Sequence, residues 1–206
     1  MKVVLFCGGL GLRLRDYSDN VPKPMVPVGQ RPIVWHLMRY YAHFGHREFI
    51  LCLGHRADVV KDYFLNYNEC LSNDFVLTGG GRDVRLLSRD IDDWKITFVD
   101  TGIDANVGQR LLAVREHIGS DEMFLANYAD NLSDLDLDAH VESLRSSDAV
   151  VRLVQVKPTS SFHAIKTADD GRVTGVQGVR DLDLWINGGF FACRREVFDY
   201  MKPGEE

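Results

Sequence analysis

With 206 residues, 45% of them hydrophobic and 26% charged, the chain is long enough to bury one sizeable core and too apolar to be disordered. A formal net charge of −6 excludes a general nucleic-acid binder, which needs a basic face to displace counterions. No run approaches the ~18 apolar residues of a membrane span, and the apolar run Val3–Cys7 leads into glycines rather than a cleavage site. No membrane contact and a cytoplasmic location are therefore expected.

In chain order, Lys2–Cys7 reads as a buried strand stopped by Gly8-Gly9. A loop containing Pro22, Pro24 and Pro27 follows. Arg31-Pro32 then opens a helix with proline at its first position, and Gly45 ends it. On this helix His36 falls on the apolar stripe and reads as a core histidine. Trp35, Tyr40 and Tyr41 read as core aromatics. Glu48–Leu53 is a second buried strand and Arg56–Tyr67 a second helix. Residues Phe75–Leu87, rich in glycine, give no clear period. Ile96–Asp100 reads as a strand, Val107–Ile118 as a helix, Met123–Tyr128 as a strand, Leu135–Leu144 as a helix and Ala149–Val156 as a strand. Short strands and turns follow, up to Gly189–Cys193 and a last helix at Arg194–Met201.

Strands and helices that alternate in this way predict an α/β fold. Its central sheet is mostly parallel (mixed), with helices on both faces, in one domain spanning 1–206. Ligands of such sheets bind beyond the carboxyl ends of the strands. That rule singles out Gly8–Leu14 and Tyr128–Asp134. The four cysteines, Cys7, Cys52, Cys70 and Cys193, have no CxxC spacing and read as buried, reduced thiols.

The turn Gly8-Gly9-Leu10-Gly11-Leu12-Arg13-Leu14 lets backbone amides approach an anion. It is not a dinucleotide fingerprint, because Leu14 stands where the third glycine belongs. It is not a Walker loop either, because the chain has no Gly-Lys pair. Pro22 and Pro24 fix the backbone on either side of Lys23 and reduce the entropy lost in placing its ammonium. A solvated lysine is the alternative. Asp130 follows a strand among Asp134, Asp136 and Asp138; the last three read as solvated, with Asp134 or Asp136 near a helix start.

Taken in order, GGLGLRL, PKPMVPVG, RPIVWHLMRYY, VDTG at Val99–Gly102, FLANYADNLSDLDL at Phe124–Leu137 and INGGFF at Ile186–Phe191 resemble the sugar-nucleotide pyrophosphorylases. Within them the match is to the glucose-1-phosphate cytidylyltransferases. The resemblance implies a Rossmann-like fold and a nucleotidyl transfer, in which a sugar phosphate oxygen attacks the α-phosphorus of CTP and pyrophosphate leaves. UTP or dTTP, or a binding protein with a decayed site, are the alternatives. By motif it places Arg13 and Lys23 on the triphosphate as catalytic groups, and Gly8, Gly9 and Gly11 around base and phosphates. Gln109 stands near the base, and Asp130 is the ligand of Mg²⁺. Asn187 and Gly188 stand at the sugar.

Three features depart from the resemblance. Leu12 replaces a threonine, Ala129 and Asn131 flank Asp130 in place of glycines, and Gly178 stands where relatives hold the sugar phosphate with lysine. Arg180 is the substitute cation expected there. Relatives continue beyond the last helix and supply a second metal aspartate, so the C-terminal part of their fold is expected to be absent from this chain. The aromatic residues between Tyr63 and Phe75 are compatible with a homo-oligomer or with a core.

Overall fold

The computed structural model describes residues 1–9 and 21–202. These fall into two compact units, one made of Met1–Arg152 with the segment from Phe191 onward, the other Leu153–Phe190.

The strands are β1 (Lys2–Phe6), β2 (Pro27–Val28), β3 (Arg31–Pro32), β4 (Glu48–Leu53), β5 (Phe75–Thr78), β6 (Asp83–Leu86) and β7 (Lys95–Asp100), then β8 (Met123–Tyr128) and β9 (Val151–Arg152). In the second unit come β10 (Gln155–Val156), β11 (His163–Thr167), β12 (Val173–Gly178) and β13 (Ile186–Asn187); β14 (Phe191–Arg194) returns to the first. The helices are α1 (Ile33–His43), α2 (Ala57–Leu65), α3 (Val107–Ala113), α4 (Arg115–Ile118) and α5 (Leu137–Arg145).

The first unit is built on a six-stranded sheet of order β7-β4-β1-β8-β14-β9. The four strands from β7 to β8 run parallel, and β14 lies antiparallel to β8 and β9. The sheet is thus mixed and mostly parallel, as expected. Successive residues of a strand face opposite sides. In β1 both sides are closed, since Val3, Val4 and Leu5 are all fully buried. One side packs Val4, Ile50, Cys52 and Phe124 against Leu111, Val114, Ile118 and Phe198. On the other side Asn127 of β8 interacts with the Tyr41 hydroxyl of α1. Near-continuous apolar strands are what a doubly covered parallel sheet requires.

Several boundaries differ from expectation for physical reasons. Arg31-Pro32 forms β3 and not the first turn of α1; Pro32 is the N-cap, in extended conformation at ψ 159°. Val114, at φ −101° and ψ 5°, divides the expected helix over 107–118 into α3 and α4. The expected strand over 149–156 divides into β9, which joins the main sheet, and β10, which pairs with β13. The glycine-rich stretch is the hairpin β5–β6, turned at Gly79, Gly80 and Gly81, all at positive φ. The last helix is a 3₁₀ turn, Arg195–Tyr200.

Gly45 does end α1. Its φ is +83°, its N–H donates to Ala42 O, and the N–H of His46 donates to Tyr41 O. This is a Schellman arrangement, which satisfies two otherwise unpaired helix carbonyls. Gly45→Ala is expected to cost about 1–2 kcal/mol, the penalty for a side chain in the left-handed region. Thermal unfolding checks this; an unchanged midpoint would mean the backbone relaxes at no cost.

Trp35 and Tyr41 are core residues, but His36 is only half-buried and its Nε2 bonds Val28 O at 2.9 Å. Near the start of α1 the sequence hid a buried ionic network. Arg31, 2% exposed, lies 4.2 Å over the Tyr67 ring and 3.8 Å from Asp90, whose carboxylate accepts from Tyr67 OH at 3.0 Å. It ties the start of α1 to the segments on either side of the β5–β6 hairpin.

Candidate functional site

At the carboxyl ends of β1 and β8 the first unit has a cleft of about 310 Å³. Its lining includes Gly8, Gly9, Lys23, Asn106, Arg110 and Asp130. Each position follows from the fold. Gly8-Gly9 is where β1 stops, and Asp130 lies two residues past β8. Lys23 opens a 3₁₀ turn, Lys23–Met25, closed by Val26 N–H donating to Lys23 O. Pro22 is extended and Pro24 is buried, so the lysine backbone is held from both sides.

Two expected site residues that are far apart in sequence meet here. Lys23 Nζ lies 4.0 Å from Asp130 Oδ2, with both side chains partly open to solvent. An ammonium and a carboxylate at a strand end can handle a polyphosphate and its counter-cation together. Asp130 offers a single hard oxygen donor group. Among the described residues no set of three or more His, Cys, Asp or Glu side chains could hold a metal. That chemistry fits Mg²⁺, which keeps several waters and takes further oxygens from substrate phosphates.

The resemblance sets the segment Gly108-Gln109-Arg110 near the base and singles out Gln109, but the residue of that segment that lines the cleft is Arg110. It sits on α3 yet is only 2% exposed. Nη1 donates to Thr101 Oγ1 at 2.7 Å and to Leu53 O at 3.2 Å, and Nη2 donates to Ile103 O at 3.2 Å. Among the described residues no carboxylate comes within ion-pair distance, and burial lowers its pKa from the ordinary value. A buried cation without a counter-charge is costly unless a ligand supplies one. The signal that could have found it is spacing. Val107, Arg110, Leu111 and Val114 stand at i, i+3, i+4 and i+7, so Arg110 occupies a core position of the helix.

Arg110 also explains two glycines. A Cβ on Gly8 would run into the Arg110 guanidinium and lie 2.8 Å from Gly54 N. A Cβ on Gly54 would lie 2.9 Å from Gly102 O and 3.0 Å from Arg110 Nη1. Gly8 is therefore small to make room for a protein side chain. Gly9 differs: among the described residues nothing lies within 4 Å of where a Cβ would stand. Beneath the cleft, burial raises the Cys7 thiol pKa strongly and that of Cys52 to about 12. These thiols stay neutral, and Cys193 is buried too; Cys70 is half-buried.

Gln109 has a structural task. Its Oε1 accepts from Asn106 N–H while Asn106 Oδ1 accepts from Gln109 N–H, both at 2.8 Å. This capping box starts α3 and aims Arg110 inward. Asn106 and Arg110 line the cleft and Gln109 does not. Asp136 caps α5 by accepting from Ala139 N–H at 3.0 Å. Gly11 and Arg13, with Leu12 and Leu14, lie outside the described residues.

The sugar-side candidates belong to the second unit. Asn187 is on β13, opposite Gln155 of β10, and its Oδ1 accepts from Gly189 N–H at 2.8 Å. A Cβ on Gly188 would lie 3.0 Å from Val154 O, so the close strand approach requires glycine there. Arg180 donates from both Nε and Nη2 to Thr159 O.

The nucleotidyl transferase family profile matches residues 2–202. The chain belongs to the nucleotidyl transferase family. Among these transferases it is 36% identical over 201 residues to the probable glucose-1-phosphate cytidylyltransferase of Bacillus subtilis, covering 98% of this chain and 78% of that one. The glucose-1-phosphate cytidylyltransferase of Salmonella typhi is also 36% identical, over 202 residues, with the same coverage. A UTP–glucose-1-phosphate uridylyltransferase of Synechocystis is 24% identical and covered over 52% of its length. Solved structures share the fold. HddC of Yersinia pseudotuberculosis superposes with a TM-score of 0.66 at 23% identity, covering 98% of this chain and 80% of that one. No helix among the described residues is long and apolar enough to cross a membrane.

Proposed function

We propose that the chain is a sugar-1-phosphate nucleotidyltransferase that joins CTP to a sugar 1-phosphate such as glucose 1-phosphate, with both compact units serving one activity. The observation that carries this reading is the cleft in which Lys23, Asp130 and the buried Arg110 converge. In the reaction a phosphate oxygen of the sugar attacks the α-phosphorus, the bond to the bridging oxygen of the β-phosphate breaks, and pyrophosphate leaves. Such a step is mainly positioning and charge neutralisation. Lys23 places a positive charge against the phosphates, with Arg13 as the second cation. By the resemblance, Gly8, Gly9 and Gly11 serve the base and the phosphates. Asp130 would hold Mg²⁺, which neutralises phosphate charge when bound.

Arg110 supports cytosine over uracil or thymine. Among the described residues its hydrogen bonds use three of the five guanidinium N–H groups. Arginine only donates, and cytosine presents O2 and N3 as adjacent acceptors, whereas uracil and thymine carry a hydrogen on N3. The family identities point the same way, with cytidylyltransferases at 36% and the uridylyltransferase at 24%.

Pyrophosphate release from the full chain with Mg²⁺ and glucose 1-phosphate tests the reading across CTP, UTP, dTTP, GTP and ATP. CTP is expected to turn over fastest. Faster turnover with UTP or dTTP would remove the base assignment, and no release with any pair would remove the activity.

A further inference from the structure

The resemblance implies a lysine for the sugar phosphate at the position where this chain has Gly178. The expected substitute, Arg180, is tied by two donors to Thr159 O. A different cation stands on the strand pair that carries Asn187. In β10–β13, Gln155 is paired with Asn187 and Val156 with Ile186. One step further Lys157 faces Trp185, with Nζ 5.3 Å from the centre of the indole ring. Directly paired residues of antiparallel strands share a face, and so do residues two apart. Lys157, Trp185, Gln155 and Asn187 therefore lie on one face, and Val156 and Ile186 on the other.

That face combines the groups a phosphorylated ring requires. Lys157 and Asn187 are exposed, and Trp185 keeps 47% of its surface open, an unusual exposure for the largest aromatic side chain. The ammonium over the ring is held by cation–π attraction, so it loses less freedom on meeting an anion. The flat indole can pack the C–H face of a pyranose, while amide side chains serve its hydroxyls.

We infer that Lys157 and Trp185 are the sugar-phosphate recognition pair of this protein: Lys157 takes the phosphate and Trp185 the ring, which restricts the substrate to cyclic sugar phosphates. The inference rests on the nucleotidyltransferase reading for its context, but its test is binding and not turnover.

Calorimetry and tryptophan fluorescence on the full chain would use glucose, galactose and mannose 1-phosphates, with glycerol 3-phosphate as the acyclic probe. At least one hexose phosphate is expected to bind and to change the emission. Lys157→Ala should weaken that binding by about 10–150-fold, the worth of a hydrogen bond to a charged group. Lys157→Arg should retain most of it, and Trp185→Ala should lose it. CTP affinity should be unchanged throughout, which also shows that the variants are folded. Glycerol 3-phosphate should bind weakly and be indifferent to Trp185→Ala. The inference is overturned if no hexose phosphate binds, if Lys157→Ala and Trp185→Ala bind like the parent, or if CTP affinity falls equally. Absence of pyrophosphate release from the parent would overturn the nucleotidyltransferase reading and leave the binding result standing.

Discussion

Lys23→Ala is expected to lower kcat about 10²–10³-fold, the loss typical of removing one charge-stabilising donor from a transition state, while Lys61→Ala leaves it nearly unchanged. Both substitutions delete one positive charge, so net charge cannot explain a difference. Lys23 lies between two prolines and 4.0 Å from Asp130 in the cleft. Lys61 is exposed on α2. Because Lys23 is only partly buried, its removal should leave the fold intact, and thermal unfolding serves as the control. The pattern over kcat and KM is informative: a transition-state contact lowers kcat, whereas a ground-state contact only raises the KM for CTP. Equal losses in the two variants would take Lys23 out of the site.

Asp130→Asn is the second substitution with a large expected effect. The amide keeps the size of the side chain and removes the negative charge. A carboxylate that organises a divalent cation is worth several kcal/mol in transition-state charge stabilisation, so a fall of about 10²-fold or more in kcat/KM is expected. The Mg²⁺ dependence should separate the metal from the ion pair. If Asp130 holds the ion, the variant needs more Mg²⁺ and excess restores only part of the rate. If Asp130 serves only to hold Lys23, the Mg²⁺ titration of the variant overlays that of the parent, and the metal assignment fails. Omitting the divalent ion should abolish turnover of the parent.

The parts of the fold most legible in the sequence are those where both faces of a strand are buried. β1, β4 and β8 agree with their expected spans within one residue, as does the half-buried edge strand β7. Runs such as Phe49–Leu53 are apolar at every position, all five are buried, and a nearby turn stops each run. Pairing was not legible. Between 149 and 156 the apolar spacing is the same on both sides of the break, and only tertiary context assigns β9 and β10 to different sheets. In β5–β6 the three glycines of the turn obscured a regular alternation in which Phe75 pairs with Leu86 and Leu77 with Val84.

At the candidate site, motif order pointed to Lys23 and Asp130, and the chain fold brings them together. Arg110 was not singled out from its segment because arginine is normally a surface residue, and its burial is visible only once Gly8 and Gly54 pack against its guanidinium. Trp185 and Lys157 escaped because they lie 28 positions apart, joined only by the β10–β13 register.

The packing around Arg110 has a consequence for how this sequence can drift. Gly8, Gly54 and Arg110 come from three separate segments, yet they share one small volume. A side chain at Gly8 or Gly54 cannot be accommodated while Arg110 keeps its place, and a smaller residue at 110 would leave an empty space and remove the donors to Thr101 Oγ1 and Ile103 O. Each route away from the present trio passes through a damaged intermediate. The three positions are expected to be inherited as a block, and a lineage that exchanges one must exchange the others almost simultaneously.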